Sequence, residues 1–133
     1  MKRCLLLPVL FCCASLTLMA QEKAKEKNAE PAFEIKQYFF VMLTSGPHRN
    51  QDSVTAARIQ DGHIANIRRL HEQGKILVAG PFGDDSNWRG IFIFDCATKE
   101  EVESLLKTDP AISAGRLGYD IRPWYTAKNC LFK

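Results

Sequence analysis

The stretch GHIANIRRLHEQGKILVAGP, residues 62–81, decides how this chain folds. Its first half reads as a helix running to about Gln73, Gly74 as the C-terminal stop, and residues 76–79 as a short buried strand closed by Gly80-Pro81. Ala56, Ile59, His63, Ile67 and Leu70 recur at steps of 3, 4, 4 and 3, which places them on one helical face. His63 therefore sits, as a polar residue, in the middle of a stripe that should face a core.

Outward from that helix the pattern alternates. Residues 38–43, Tyr-Phe-Phe-Val-Met-Leu, form an aromatic and β-branched run stopped by Gly46-Pro47, which predicts a central strand covered on both faces. Asp52 or Ser53 can cap the helix that follows, and Gly62 is expected as a bend within it. After the strand at 76–79, residues 83–87 carry turn chemistry and lead to a third strand over 90–96, so strands two and three make a hairpin. Thr98 with Glu101 is a capping-box pair that opens a second helix with Val102, Leu105 and Leu106 on its apolar face. Asp109-Pro110 ends that helix, because a residue preceding proline is pushed out of helical geometry. Residues 111–118 form a short turn or a single helical turn, and 119–126 form a fourth strand in which Pro123 argues for an edge position.

Strand, helix, strand, strand, helix, strand over about a hundred residues is best satisfied by an α+β, ferredoxin-like fold. It is a four-stranded antiparallel sheet in βαββαβ order with two helices on one face. Strands one and three are apolar on both faces, so the face without helices needs a cover, most simply a second copy of the sheet. A homodimer is the expectation.

The chain has 133 residues, 46% apolar and 25% charged, which is one domain's worth of ordinary globular composition. Its first 20 residues have the basic start, apolar run and Ala20 ending of a secretory signal peptide. Residues 21–34 read as a flexible charged linker, 35–128 as the folded domain and 129–133 as a tail. Loss of Lys2 and Arg3 with the signal leaves 16 of the 18 basic residues against 15 acidic ones, so the mature surface is nearly neutral. That balance lacks the phosphate-neutralising footprint of a nucleic-acid binder, and after cleavage nothing calls for a membrane. The expected location is periplasmic or secreted.

Three of the five cysteines leave with the signal, so Cys96 and Cys130 remain. In the expected topology they follow two parallel strands separated by a third, about 10 Å apart, which is beyond disulfide reach unless the tail folds across. His63 and His71 lie roughly 12 Å apart along a helix and cannot share a metal ion, and no other His, Cys or acidic cluster has ligand spacing. Neither a metal nor a cofactor is expected. Arg68 and Arg69 read as surface residues. Trp88, Arg89 and Trp124 are candidates for a pocket wall or a dimer seam, though ordinary structural roles weigh more for each.

Several pieces in order carry a resemblance: His63 followed by Leu70, Gly74 and Ala79-Gly80-Pro81; then Asp109-Pro110-Ala111-Ile112-Ser113-Ala114-Gly115; then Arg122-Pro123-Trp124. Over residues 36–126 the chain resembles the YCII-related domain family. The resemblance implies a ferredoxin-like protein that dimerises face to face into an α+β barrel, with a His and Asp pair as active site, here His63 and Asp109. Asp61-Gly62 departs from the family pattern, where a proline commonly precedes the histidine, and most relatives lack a signal peptide.

A carboxylate bonded to one imidazole nitrogen fixes the tautomer and leaves the other nitrogen to take a proton from a small substrate, held in a dry cavity with apolar walls. The competing reading is a non-catalytic binding or assembly module in which His63 and Asp109 only satisfy each other. A solvent-connected pocket with one imidazole nitrogen unpaired separates the first from the second.

Overall fold

The structure is a computed structural model that describes residues 34–128. The expected signal peptide, nearly all of the linker, Cys130 and the tail lie outside the described residues. The elements run β1 (Ile35–Ser45), α1 (Ser53–Glu72), β2 (Ile76–Pro81), β3 (Trp88–Phe94), α2 (Lys99–Leu106), α3 (Pro110–Ser113) and β4 (Leu117–Ala127). The four strands form one antiparallel sheet in the order β2-β3-β1-β4. This is the ferredoxin-like α+β arrangement, with β1 central and flanked by a strand on each side. β4 pairs with β1 alone, so Pro123 occupies an edge strand that tolerates a missing N–H.

Phe39, Val41 and Leu43 of β1, Phe92 and Phe94 of β3 and Ile121 of β4 point toward the helices, where they meet Leu70, Val102 and Leu106. Phe94, Leu70, Ile76, Leu106, Val41 and Val102 are fully buried. Each such side chain contributes about 1.5–3 kcal/mol by leaving water. The opposite face carries Phe40, Met42 and Ile91, all half-buried, beside the 40% exposed Trp124.

The helix ends have identifiable devices. The Asp52 carboxylate accepts from the backbone N–H and the hydroxyl of Thr55, and the first of these bonds holds the carboxyl below its ordinary range. At the far end Gly74 adopts φ +69°, its N–H bonds to the carbonyl of His71, and Lys75 N–H bonds to that of Leu70. That is a Schellman stop, which needs a residue without a Cβ penalty in the left-handed region. Gly115, also at φ +69°, closes α3 by the same pair of bonds, to Ile112 and Ala111.

Thr98 accepts from Glu101 N–H at 3.2 Å, while the Glu101 carboxylate accepts from Ala97 N–H rather than from Thr98. The expected capping box thus forms with its return bond one residue earlier.

Helix α1 continues through Gly62, where a Cβ would lie 2.9 Å from Pro110 Cγ. One local expectation is corrected. The buried stripe of α1 is Ile59, His63, Asn66 and Leu70, with Ile67 only half-buried, so the helix is rotated enough to bring a second polar residue inward.

Candidate active site

Close approach of α1 and α3 at Gly62 and Pro110 builds the site. His63 comes inward on the third turn of α1, and Asp109 stands one residue before α3, held extended at φ −81°, ψ 122° by the proline that follows it. His63 Nδ1 and Asp109 Oδ2 are 2.8 Å apart, with the aspartate 1% exposed and the histidine 8%. The two residues of the family motif are therefore brought together from elements separated by 46 positions.

The protons of this cluster can be placed from donor chemistry. Arg69 Nη2 lies 2.6 Å from Asn66 Oδ1, and a guanidinium can only donate, so the amide oxygen of Asn66 must face it. Thr108 Oγ1 is 3.0 Å from the same oxygen and also receives from Arg69 Nη2 at 2.9 Å. The Asn66 amide nitrogen is thereby turned to Asp109 Oδ2, to which it donates at 3.3 Å. Asp109 Oδ1 accepts the backbone N–H of Ala111 at 2.8 Å, the cap of α3. Both carboxylate oxygens are thus acceptors, and His63 donates through Nδ1–H. In the neutral ring Nε2 is then the nitrogen with a free lone pair.

Nε2 has no hydrogen-bond partner among the described residues, and no buried polar side-chain atom among them is unsatisfied. It is accounted for by a cavity of about 370 Å³ that the ring lines, between α1 and the helix-facing side of the sheet. Leu43, Ile67, Phe92 and Leu117 supply apolar wall, and Phe92 packs against the imidazole at 6.2 Å between ring centres. Gly80 and Gly90 line the opposite side where β2 and β3 run so close that a Cβ on Gly90 would lie 2.5 Å from the carbonyl oxygen of Gly80.

The expectation of apolar walls alone is corrected: Arg49, Arg89, Arg116 and Gln60 also line the cavity. Arg89 is a wall residue, whereas Trp88 stacks on Phe82 at 6.2 Å and is 57% exposed. Arg69 is exposed yet holds Asn66, a role its sequence position did not suggest. His71 Nδ1 lies 3.0 Å from the Ile76 carbonyl and takes no part in the cavity. Among the described residues no three His, Cys, Asp or Glu side chains gather as a metal site, and no helix is long and apolar enough to cross a membrane. Cys96 carries a free thiol that burial, then the charge of Glu101, pushes up to about 11.

A ferredoxin-like domain with a buried His–Asp pair opening on a cavity defines the class. The chain belongs to the YCII-related domain family, whose profile matches residues 39–125. No curated protein matches it. Among solved structures it is similar to the 5-chloro-2-hydroxyhydroquinone dehydrochlorinase of Burkholderia phenoliruptrix AC1100, in complex with 2,5-dihydroxybenzoquinone. The two are 25% identical over 65% of this chain and 92% of that one, with a TM-score of 0.47.

Proposed function

We propose that this protein is a small-molecule enzyme of the isomerase, lyase or hydrolase type that works by proton transfer at His63. The observation that carries the reading is the unpartnered Nε2 on a cavity wall, backed through Nδ1 by a buried carboxylate. Nε2 takes a proton from the substrate, the resulting imidazolium sits against the Asp109 carboxylate, and the same proton is returned to another atom of substrate or product. Asp109 keeps the ring in the productive tautomer and offsets the charge that forms on it. In a module that only satisfied its own polar groups, the second nitrogen would be bonded within the protein.

The proposal extends to setting. The basic start and apolar run of residues 1–20 support export, and the apolar side chains of Phe40, Met42 and Ile91 support pairing of two sheets across the face without helices.

Pools of small organic acids, ketones and lactones incubated with the protein in D2O reveal a proton-transfer substrate by loss of a C–H signal. For a substrate so found, His63→Gln is expected to lower turnover about 10²–10⁴-fold. Unchanged turnover in both His63→Ala and Asp109→Asn would contradict the proposal.

A further inference from the structure

Three arginines line the cavity from different parts of the chain. Arg49 comes from the loop between β1 and α1, Arg89 from β3, and Arg116 from the turn between α3 and β4. The two loops are clasped together. Gly46 N–H bonds to the Arg116 carbonyl at 2.9 Å, His48 N–H to the Gly115 carbonyl at 2.9 Å, and the His48 ring fills the space where a Gly115 side chain would be. The clasp fixes both arginine backbones relative to each other.

The arginine side chains are tethered only to neutral oxygens. Arg49 Nη1 donates to the Arg116 carbonyl at 2.9 Å, Arg116 Nη1 to Gln51 Oε1 at 2.6 Å, and Arg89 Nη1 to the Ser86 carbonyl at 3.4 Å. None of the three forms an ion pair among the described residues, and no aspartate or glutamate lines the cavity. Each guanidinium presents five donors in a planar fork and here spends few of them on the protein. A wall that is apolar at Leu43, Ile67 and Phe92 and cationic at three arginines fits a ligand with an apolar body and an anionic end.

From this arrangement we infer that the cavity takes a small organic carboxylate, its charged end held by Arg49, Arg89 and Arg116 and its body lying against the apolar wall beside His63. The inference rests on the proposed catalytic role of His63 only for what happens next; binding of the anion is independent of it. At about 370 Å³ the space holds about a dozen water-sized groups, which confines the ligand to metabolite size. Guanidinium forks match the two coplanar oxygens of a carboxylate, and the same positive wall favours negative charge that builds up on the substrate when Nε2 removes a proton.

The test is titration of the full chain with benzoate, with its uncharged isostere benzamide and with inorganic phosphate, followed by calorimetry and by the arginine side-chain Nε–H resonances. Benzoate is expected to bind saturably, to shift the resonances of Arg49, Arg89 and Arg116, and to weaken as salt rises. Benzamide should bind at least about tenfold more weakly. Arg89→Gln should cost benzoate about tenfold, Arg89→Lys should recover part of it, and His63→Gln should change it by less than about twofold, because the histidine acts on the bound molecule and does not hold it. Since Arg89 makes one long tether, that variant is expected to keep the wild-type pattern of backbone resonances. Equal binding of benzamide, benzoate affinity unchanged in Arg89→Gln, or phosphate competing as well as benzoate would each overturn the inference. A His63 variant with normal turnover would remove the catalytic reading and leave the anion site standing.

Discussion

His63 takes its orientation from a chain of donors that begins at Arg69. The donor-only guanidinium turns the Asn66 amide, the amide marks Asp109 Oδ2 as an acceptor, and the carboxylate claims the Nδ1 proton. Asp109→Asn disturbs this whichever way the amide turns: its nitrogen at the Oδ2 position would face the donors of Asn66 and His63, and at the Oδ1 position it would face the backbone N–H of Ala111. The variant is expected to fold, to lose about 1–3 kcal/mol in chemical denaturation, and to lose activity along with it. Loss of activity with no change in stability would show that the network is looser than its distances imply.

Cys96 makes a separate prediction at this scale. Its thiol, pushed up to about 11 by burial and by Glu101, holds roughly a hundredfold less thiolate at neutral pH than an ordinary cysteine. Alkylation of the Cys96 peptide by iodoacetamide, followed by mass spectrometry, should therefore be slow at pH 7 and rise about tenfold per pH unit up to pH 10. A plateau near pH 8 would contradict it.

At the scale of elements, the pairing of His63 with Asp109 depends on how closely α1 lies on α3. In an exposed helix interior Gly62→Ala would stabilise by about 1 kcal/mol through helix propensity. Here the added Cβ meets the Pro110 ring at 2.9 Å, so the account predicts a net loss of about 1–2 kcal/mol in thermal or urea unfolding. Pro110→Ala in the same chain should restore it.

The elements were largely legible in the sequence because their signals are local. The glycine at 74, the threonine at 98 with its glutamate, the proline after Asp109 and the proline in the edge strand each act within a few residues. The phase of α1 was legible only in part: Ile67 looks like the better core residue than Asn66, and the choice is made by Thr108 and Asp109, more than forty positions away. Arg49 and Arg116 lie 67 positions apart and look like ordinary surface charges until the Gly46 and Gly115 turns clasp. The pair itself was read from the family motif, since spacing alone cannot say which acid meets which histidine.

For the whole molecule, the sheet divides two tasks. Its helix face closes over the core and the cavity, while its other face presents Phe40, Met42 and Ile91 with Trp124 at the β4 edge. If two such faces pair as proposed, Met42→Asp should convert a species of twice the chain mass in sedimentation equilibrium into one of the chain mass, with far-UV circular dichroism unchanged. A wild-type chain that sediments as a monomer at 50 μM, by order of magnitude a concentration well above the Kd of a stable apolar interface, would contradict the pairing.

Helices, clasp and cavity all converge on one atom, Nε2 of His63. The most direct measurement is a long-range ¹H–¹⁵N correlation of the histidine rings, with His63 assigned by its absence in His63→Gln. At a pH where the ring is neutral, the account predicts a proton on Nδ1 and a bare Nε2. A proton on Nε2, with Nδ1 bare toward Asp109, would contradict it.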